Sequence, residues 1–301
     1  MAKEKNNQEK LSNGSKSQPT KQNSKEVLNY WTEKRKGEAI AVVPPKPVFD
    51  PNFKHSEFTP EGSPIGTPLK FPPRVSTAPE ISAAAVPDPN KWPYACIGKL
   101  YMTMNGVNYV GSAFSVSGSK SVFMTAGHCV YDQGSDSWAT NVMIALSYSP
   151  TSAGAQFAAV NLVTLWGYIR KEGQQYDIGA GVVDGDMFTG RGNLGLQFSQ
   201  PVNTSPWTAV GYPANDPFPG NTMYQAVGSY TGAGQTGTIG MNNNDMGGGS
   251  SGGPWMVNSD WGYVNGLQSY HNDNPHVVEY SPYFGTGAYN VWACAVANIG
   301  C

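Results

Sequence analysis

From residue 96 onward the chain reads as short apolar runs broken by turn residues, with no long stretch at helical spacing. Residues 96–104 and 107–116 flank Asn105-Gly106. Both members of that pair tolerate positive φ, which predicts a tight hairpin. Residues 121–125 follow as a third strand. Further strands are expected over 141–148, 157–166, 177–183, 193–198, 207–212, 223–230, 237–241, 254–257, 263–269 and 288–291. Turn signals at this spacing point to an all-β sandwich or barrel. One short helix is expected over 289–297. No repeat of 20–50 residues is visible, which counts against a solenoid or propeller.

The first third of the chain is different. Residues 1–38 are dominated by Lys, Asn, Glu, Ser and Gln, and 13 of the 23 prolines fall within 44–93. Such chain buries little apolar surface and donates few backbone hydrogen bonds. Residues 1–90 are therefore expected to be a disordered, Pro-rich pro-segment or tether, with residues 91–301 forming the folded domain. About 208 residues suffice for a substantial core. Composition agrees: 13% charged residues, 36 glycines and 12% aromatics are typical of a loop-rich β protein.

The net charge of −2 leaves no electrostatic footprint for nucleic acid. It conceals an asymmetry, because residues 1–60 hold 11 Lys/Arg against 7 Asp/Glu and residues 91–301 hold 6 against 11. No apolar run is long enough to span a membrane. No apolar core of a signal peptide follows the charged N-terminus either. The four cysteines, Cys96, Cys129, Cys294 and Cys301, suggest disulfides and hence a secreted protein, in tension with that N-terminus. Cys294 and Cys301 are spaced to close a small loop, which would leave Cys96 with Cys129. No close CxxC pair supports a zinc site, and no metal or cofactor is expected.

Candidate chemistry concentrates in Gly249-Ser250-Ser251-Gly252-Gly253-Pro254. Glycines let the backbone turn tightly and let a substrate approach a serine closely. The N–H groups of Gly249 and Ser251 could then face one developing oxyanion. The bland alternative is a flexible linker. A serine nucleophile also needs a base, and the base needs an orienting group. Of the histidines His55, His128, His271 and His276, His128 stands directly after a strand, in Thr125-Ala126-Gly127-His128-Cys129.

The two motifs together resemble the chymotrypsin-like (trypsin-like) serine peptidases. They look most like the bacterial branch that includes the glutamyl endopeptidases. The resemblance covers residues 94–301. It implies two six-stranded antiparallel β-barrels with the site between them, and a monomeric serine endopeptidase acting on protein or peptide substrates through an acyl-enzyme. His128 would be the general base and Ser251, not Ser250, the nucleophile. Asp177, in Tyr176-Asp177-Ile178-Gly179-Ala180, best fits the third member, and the order His, Asp, Ser agrees with the template. The oxyanion hole would be Gly249 and Ser251.

Two departures stand out. Vertebrate relatives carry an Asp before the nucleophile that pairs with a freshly cleaved N-terminus, and this chain has Ser250. Many relatives also place a cysteine opposite the one after the histidine, where this chain has Tyr109-Val110-Gly111-Ser112; Cys96 could substitute. The specificity pocket is expected to involve Asp245, Ser269 and His271. Asp245, six residues before Ser251, favours Lys or Arg at the scissile bond. A glutamate-reading His would fall at Gln268, so neither preference is assigned. A catalytically silent relative that binds partners through the same barrels is the alternative. A carbohydrate-binding module built on Trp166, Trp207, Trp255 and Trp261 is a weaker one, since tryptophans of this kind usually serve the core.

Overall fold

The computed structural model of the protein describes residues 12–44, 83–203, 205–232, 234–271, 277–297 and 301. His55, His276 and residues 45–82 lie outside these. The hairpin at Asn105-Gly106 forms with φ of 47° and 77°, and joins Ile97–Met104 to Val107–Val116. These two strands begin a closed barrel. Val122–Thr125, Gly179–Val183, Ala155–Leu165 and Thr140–Leu146 follow in order, and Thr140–Leu146 pairs back onto Ile97–Met104. Alternation along the strands sets the packing. Leu100, Met102 and Met104 join the main core, whereas Tyr101 between them joins a separate cluster on the outer face.

A second barrel is built from six principal strands, two of them kinked. Trp207–Gly211 pairs with Tyr224–Gly228, which continues as Tyr230–Gly232 beside Thr238–Asn242. Val278–Pro282 comes next, then Tyr270–His271, which continues Tyr263–Leu267 past a kink, and Pro254–Val257 closes the ring onto Trp207–Gly211. The Ser269 N–H, donating to the Tyr280 carbonyl at 3.0 Å, bridges the kink. Trp207 and Trp255 pack at 5.4 Å between ring centroids in the interior, together with Ile239 and Met241. These tryptophans are core.

Two strand expectations change. Residues 288–291 lie inside the helix Thr286–Ala297, because Ala288, Val291, Cys294 and Ala295 recur at helical spacing on a buried face. The strand expected over 193–198 shortens to Gly195–Leu196. Conversely, Val278–Pro282 was not foreseen, since Glu279 and Pro282 interrupt its apolar pattern.

Residues 12–44 correct the expectation of loose chain. Ser15–Pro19 adds to the first barrel as an antiparallel neighbour of Ala155–Leu165. Asn23 and Glu26 then form a reciprocal capping box, with Glu26 N–H donating to Asn23 Oδ1 (3.0 Å) and Asn23 N–H to Glu26 Oε2 (3.1 Å). They start the helix Ser24–Tyr30, which buries Val27. Trp31, 2% exposed, donates from Nε1 to the Asn141 carbonyl at 2.6 Å and packs 5.2 Å from the Tyr101 ring. The cause lies in the barrel. Its outer face carries Tyr101, Val110, Met143, Ala145 and Ala158, an apolar patch that Val27 and Trp31 cover. A second helix, Glu33–Glu38, is capped by Thr32. Ile40–Ala41 then runs parallel to Tyr109 and Val110, and the Val42 N–H donates to the Val110 carbonyl at 2.9 Å. The chain is described again from Ala83, and Ala84–Ala85 adds to Tyr224–Gly228.

Cys294 and Cys301 form a disulfide, as their spacing suggested. The pairing of Cys96 with Cys129 is corrected, since both are free and buried. Cys96 donates to the Arg191 carbonyl at 3.3 Å. Cys129 sits between Gly111, where a Cβ would meet its sulfur at 3.1 Å, and the Ser251 carbonyl at 3.8 Å. Burial pushes the Cys96 thiol up to about 12, so it behaves as a small neutral hydrophobe. Among the described residues no helix is long and apolar enough to cross a membrane.

Candidate active site

Strand pairing brings His128 and Asp177 together. Val122–Thr125 leads into the turn Gly127–Cys129 that carries His128, and Asp177 stands just before Gly179–Val183. These strands are antiparallel neighbours with Gly179 opposite Thr125, so the end of one meets the start of the other at a single rim. Asp177 is 0% exposed and receives three hydrogen bonds. His128 N–H donates to Oδ1 at 2.7 Å, His128 Nδ1 lies 2.8 Å from Oδ2, and the Ser269 hydroxyl donates to Oδ2 at 2.6 Å. With Nδ1–H held by the carboxylate, a neutral imidazole presents a bare Nε2. That atom is buried and has no hydrogen-bond partner among the described residues. Burial alone would lower the basicity of His128, but the Asp177 carboxylate outweighs it and holds the imidazole well above its ordinary value.

Ser251 reaches the same rim from the second barrel. Its carbonyl accepts from the Ser112 N–H at 2.7 Å. Gly252 has φ of 84°, and a Cβ there would collide with Thr125 Oγ1 and the Ser112 carbonyl. Only glycine lets the serine turn rest against the strand that delivers His128. No hydrogen bond joins Ser251 Oγ to His128 among the described residues. Two neighbouring peptide planes are fixed through their carbonyls. Ala214 N–H donates to Gly248 O at 2.8 Å and Gly253 N–H to Ser250 O at 2.9 Å. The N–H groups of those planes, on Gly249 and Ser251, therefore point away from these donors. Ser250 turns inward, with its hydroxyl donating to the Gly247 carbonyl.

The pocket expectation changes in two places. Asp245 accepts from the Ala83 N–H at 2.8 Å and so anchors the returning N-terminal segment. Ser269 serves Asp177. Gln268 is engaged in a buried amide network, accepting from Trp255 Nε1 (2.7 Å) and Asn244 Nδ2 (3.1 Å). His271 stays at the rim, its side chain 26% exposed, with Nδ1 3.5 Å from Oε1 of Glu279. Glu279, on a strand the sequence reading did not predict, lies beside His271. It is 2% exposed and its Oε1 accepts from the Gly247 N–H at 3.1 Å. The only sequence signal was a lone glutamate between valine and tyrosine in a charge-poor stretch.

On the other side of His128 a cleft of about 420 Å³ is lined by Met104, Tyr109, Tyr131 and Tyr168. Ile40, Val42 and Val43 of the N-terminal segment form part of its wall. A Cβ on Gly248 would lie 3.3 Å from the Ala41 side chain, so this segment also reaches the run before Ser251.

The sequence matches no family model. It matches no curated protein either. Solved structures do match. The protease Anisep from Arthrobacter nicotinovorans is 32% identical with a TM-score of 0.62, over 67% of this chain and 96% of that one. The thermostable serine protease AL20 from an extremophilic microorganism is 31% identical with a TM-score of 0.60, over 67% and 97%. A Glu endopeptidase shares the fold at 19% identity, with a TM-score of 0.61 over 72% and 97%. Two barrels with the expected motifs at their junction, and near-complete coverage of two proteases above 30% identity, one of them a serine protease, place the chain in the family of chymotrypsin-like serine peptidases.

Proposed function

We propose that the protein is a serine endopeptidase working through an acyl-enzyme. The observation that carries this reading is the buried Asp177–His128 pair, whose unpartnered Nε2 lies at the rim where the glycine-framed Ser251 turn rests. Ser251 Oγ attacks the scissile carbonyl carbon as Nε2 of His128 takes its proton. Asp177 holds the ring and stabilises the imidazolium. The N–H groups of Gly249 and Ser251 receive the oxyanion. Collapse of the tetrahedral species passes the His128 proton to the leaving amine, and water then repeats the sequence to release the acid. The lack of a Ser251–His128 hydrogen bond among the described residues is compatible with this, because such bonds often tighten only when substrate is bound. The Cys294–Cys301 disulfide supports function in an oxidising, extracellular setting.

An activity-based fluorophosphonate is expected to label the full-length protein once, at Ser251, with loss of peptide hydrolysis. A protein that folds but neither labels nor cleaves is a silent homologue. The pH dependence has a definite sign. Asp177 favours the imidazolium, and the base must be neutral, so kcat/KM should rise with pH and level off above the ordinary imidazole range near pH 6.5. Asp177→Asn removes the carboxylate and is expected to move that inflection to lower pH. A profile of kcat/KM against pH for both proteins reads the shift.

A further inference from the structure

We propose that residues 40–43 are an autoinhibitory strap laid along the path of the leaving chain. The strap slows cleavage of extended polypeptides and spares substrates that end at the scissile bond. The inference rests on the peptidase reading above. His128 gives its proton to the leaving amine, so the chain beyond the scissile bond starts on the His128 side of Ser251. The cleft of about 420 Å³ lined by His128 and Tyr109 lies there. The strand that carries Tyr109 pairs on one edge with Ile97–Met104, from Val107 to Phe114. On the other edge it pairs with Val122–Thr125 only from Phe114 to Val116. Before Ser112 that second edge is therefore open to a further chain. The Ser112 N–H donates to the Ser251 carbonyl at 2.7 Å, so the open edge leads up to the nucleophile's own backbone. An extended peptide docks on such an edge through main-chain hydrogen bonds.

The protein's own chain already occupies it. Ile40–Ala41 runs parallel to Tyr109 and Val110, and the Val42 N–H takes the Val110 carbonyl at 2.9 Å. Only Gly111 separates Val110 from Ser112. Across the cleft the strap meets the run before the nucleophile. A Cβ on Gly248 would lie 3.3 Å from the Ala41 side chain and 3.8 Å from the Val42 carbonyl. Residues 40–43 thus bridge the two barrels beside Ser251, and a leaving chain must displace them. They are lightly held. Val42 is 2% exposed, but Ile40 and Val43 are 54% and 77% exposed. One buried valine and a two-residue pairing are modest beside the anchors at Trp31 and Ser15–Pro19. The strap can lift while the rest of the N-terminal segment stays in place.

The test uses the full-length protein. Val42→Asp puts a charge where the valine is buried and should expel the strap. The preferred acyl sequence, read by digesting a mixed peptide library with that variant, is made in two forms. One is an ethyl ester that ends at the scissile bond, and the other is a peptide that continues several residues beyond it. Val42→Asp should raise kcat/KM for the peptide by about tenfold to a hundredfold, the scale of burying one valine, and leave the ester within about twofold. An equal rise on both, no rise on either, or a slower peptide overturns the proposal. Should that variant not fold, a lock decides: Ala41→Cys with Gly248→Cys, whose Cβ separation of 3.3 Å is close to that of a disulfide. The oxidised form should cleave the peptide at least about tenfold more slowly than the reduced form, with the ester unchanged. Wild type treated alike controls for Cys294–Cys301. Equal peptide rates in the two forms, or an equal loss on both substrates, overturn the proposal. Failure of Ser251 to take a fluorophosphonate removes the peptidase reading and this proposal with it. Labelling with an unchanged ratio of peptide to ester removes this proposal alone.

Discussion

Ser251→Ala is expected to lower kcat for peptide hydrolysis by about 10⁶-fold, the scale seen when a serine protease loses its nucleophile. Ser250→Ala, one residue away, is expected to cost about tenfold or less. The two hydroxyls differ in what they touch. Ser250 is 1% exposed and donates back to the Gly247 carbonyl, within reach of Gln268 Nε2 at 3.5 Å. Its loss removes one close hydrogen bond and the long one from Gln268, in a turn that Gly253 N–H and Gly252 N–H also secure. A single neutral hydrogen bond contributes about 1 kcal/mol, or several-fold in rate at most. Steady-state kinetics on both variants, with melting curves to show that each is folded, separate the outcomes. An inactive Ser250→Ala with an active Ser251→Ala would move the nucleophile by one residue.

Trp31→Ala is expected to destabilise the protein by about 3–5 kcal/mol and lower its Tm by about 6–20 °C. Its ring fills a place against Tyr101, and its Nε1–H satisfies the Asn141 carbonyl. Both are lost on truncation, and the outer face holding Val110, Met143 and Ala158 is left partly uncovered. Removing the first 82 residues entirely should be worse than the single change, producing soluble aggregates or loss of expression. A truncated protein with unchanged Tm and much higher activity would instead make residues 12–44 a dispensable cover over the cleft. Thermal melts and size-exclusion profiles distinguish the two.

The sequence was informative where one residue type is required by local geometry. Asn105-Gly106 announced its hairpin because few pairs accept two positive φ values. Gly252 is a similar case, since its φ of 84° and the closeness of Thr125 and Ser112 leave no room for a Cβ. Averaged composition misled in the N-terminal segment. There, Val27 and Trp31 lie among polar residues, and what folds them is a distant apolar face that no local window contains. The expected pocket was less legible for a related cause. Spacing along the chain pointed to Asp245, but a six-residue separation does not fix which way a side chain turns at a loop, and Ala83 draws it aside. Glu279 lies on a strand that its own charge had hidden, and only the register with Tyr270–His271 sets it beside His271.

Residues 45–82 connect two ends that are each anchored independently. Before them, Ser15–Pro19, Trp31 and Ile40–Ala41 are fastened to the first barrel. After them, Ala83 and Ala84–Ala85 are fastened to the second. Cutting the peptide bond anywhere in that connection therefore need not release the N-terminal fragment. The expected product is a nicked particle that runs as two bands under denaturing conditions and as one species under native ones. By the same logic, a synthetic peptide spanning residues 12–44 should bind the remainder when supplied in trans, covering the outer face of the first barrel again.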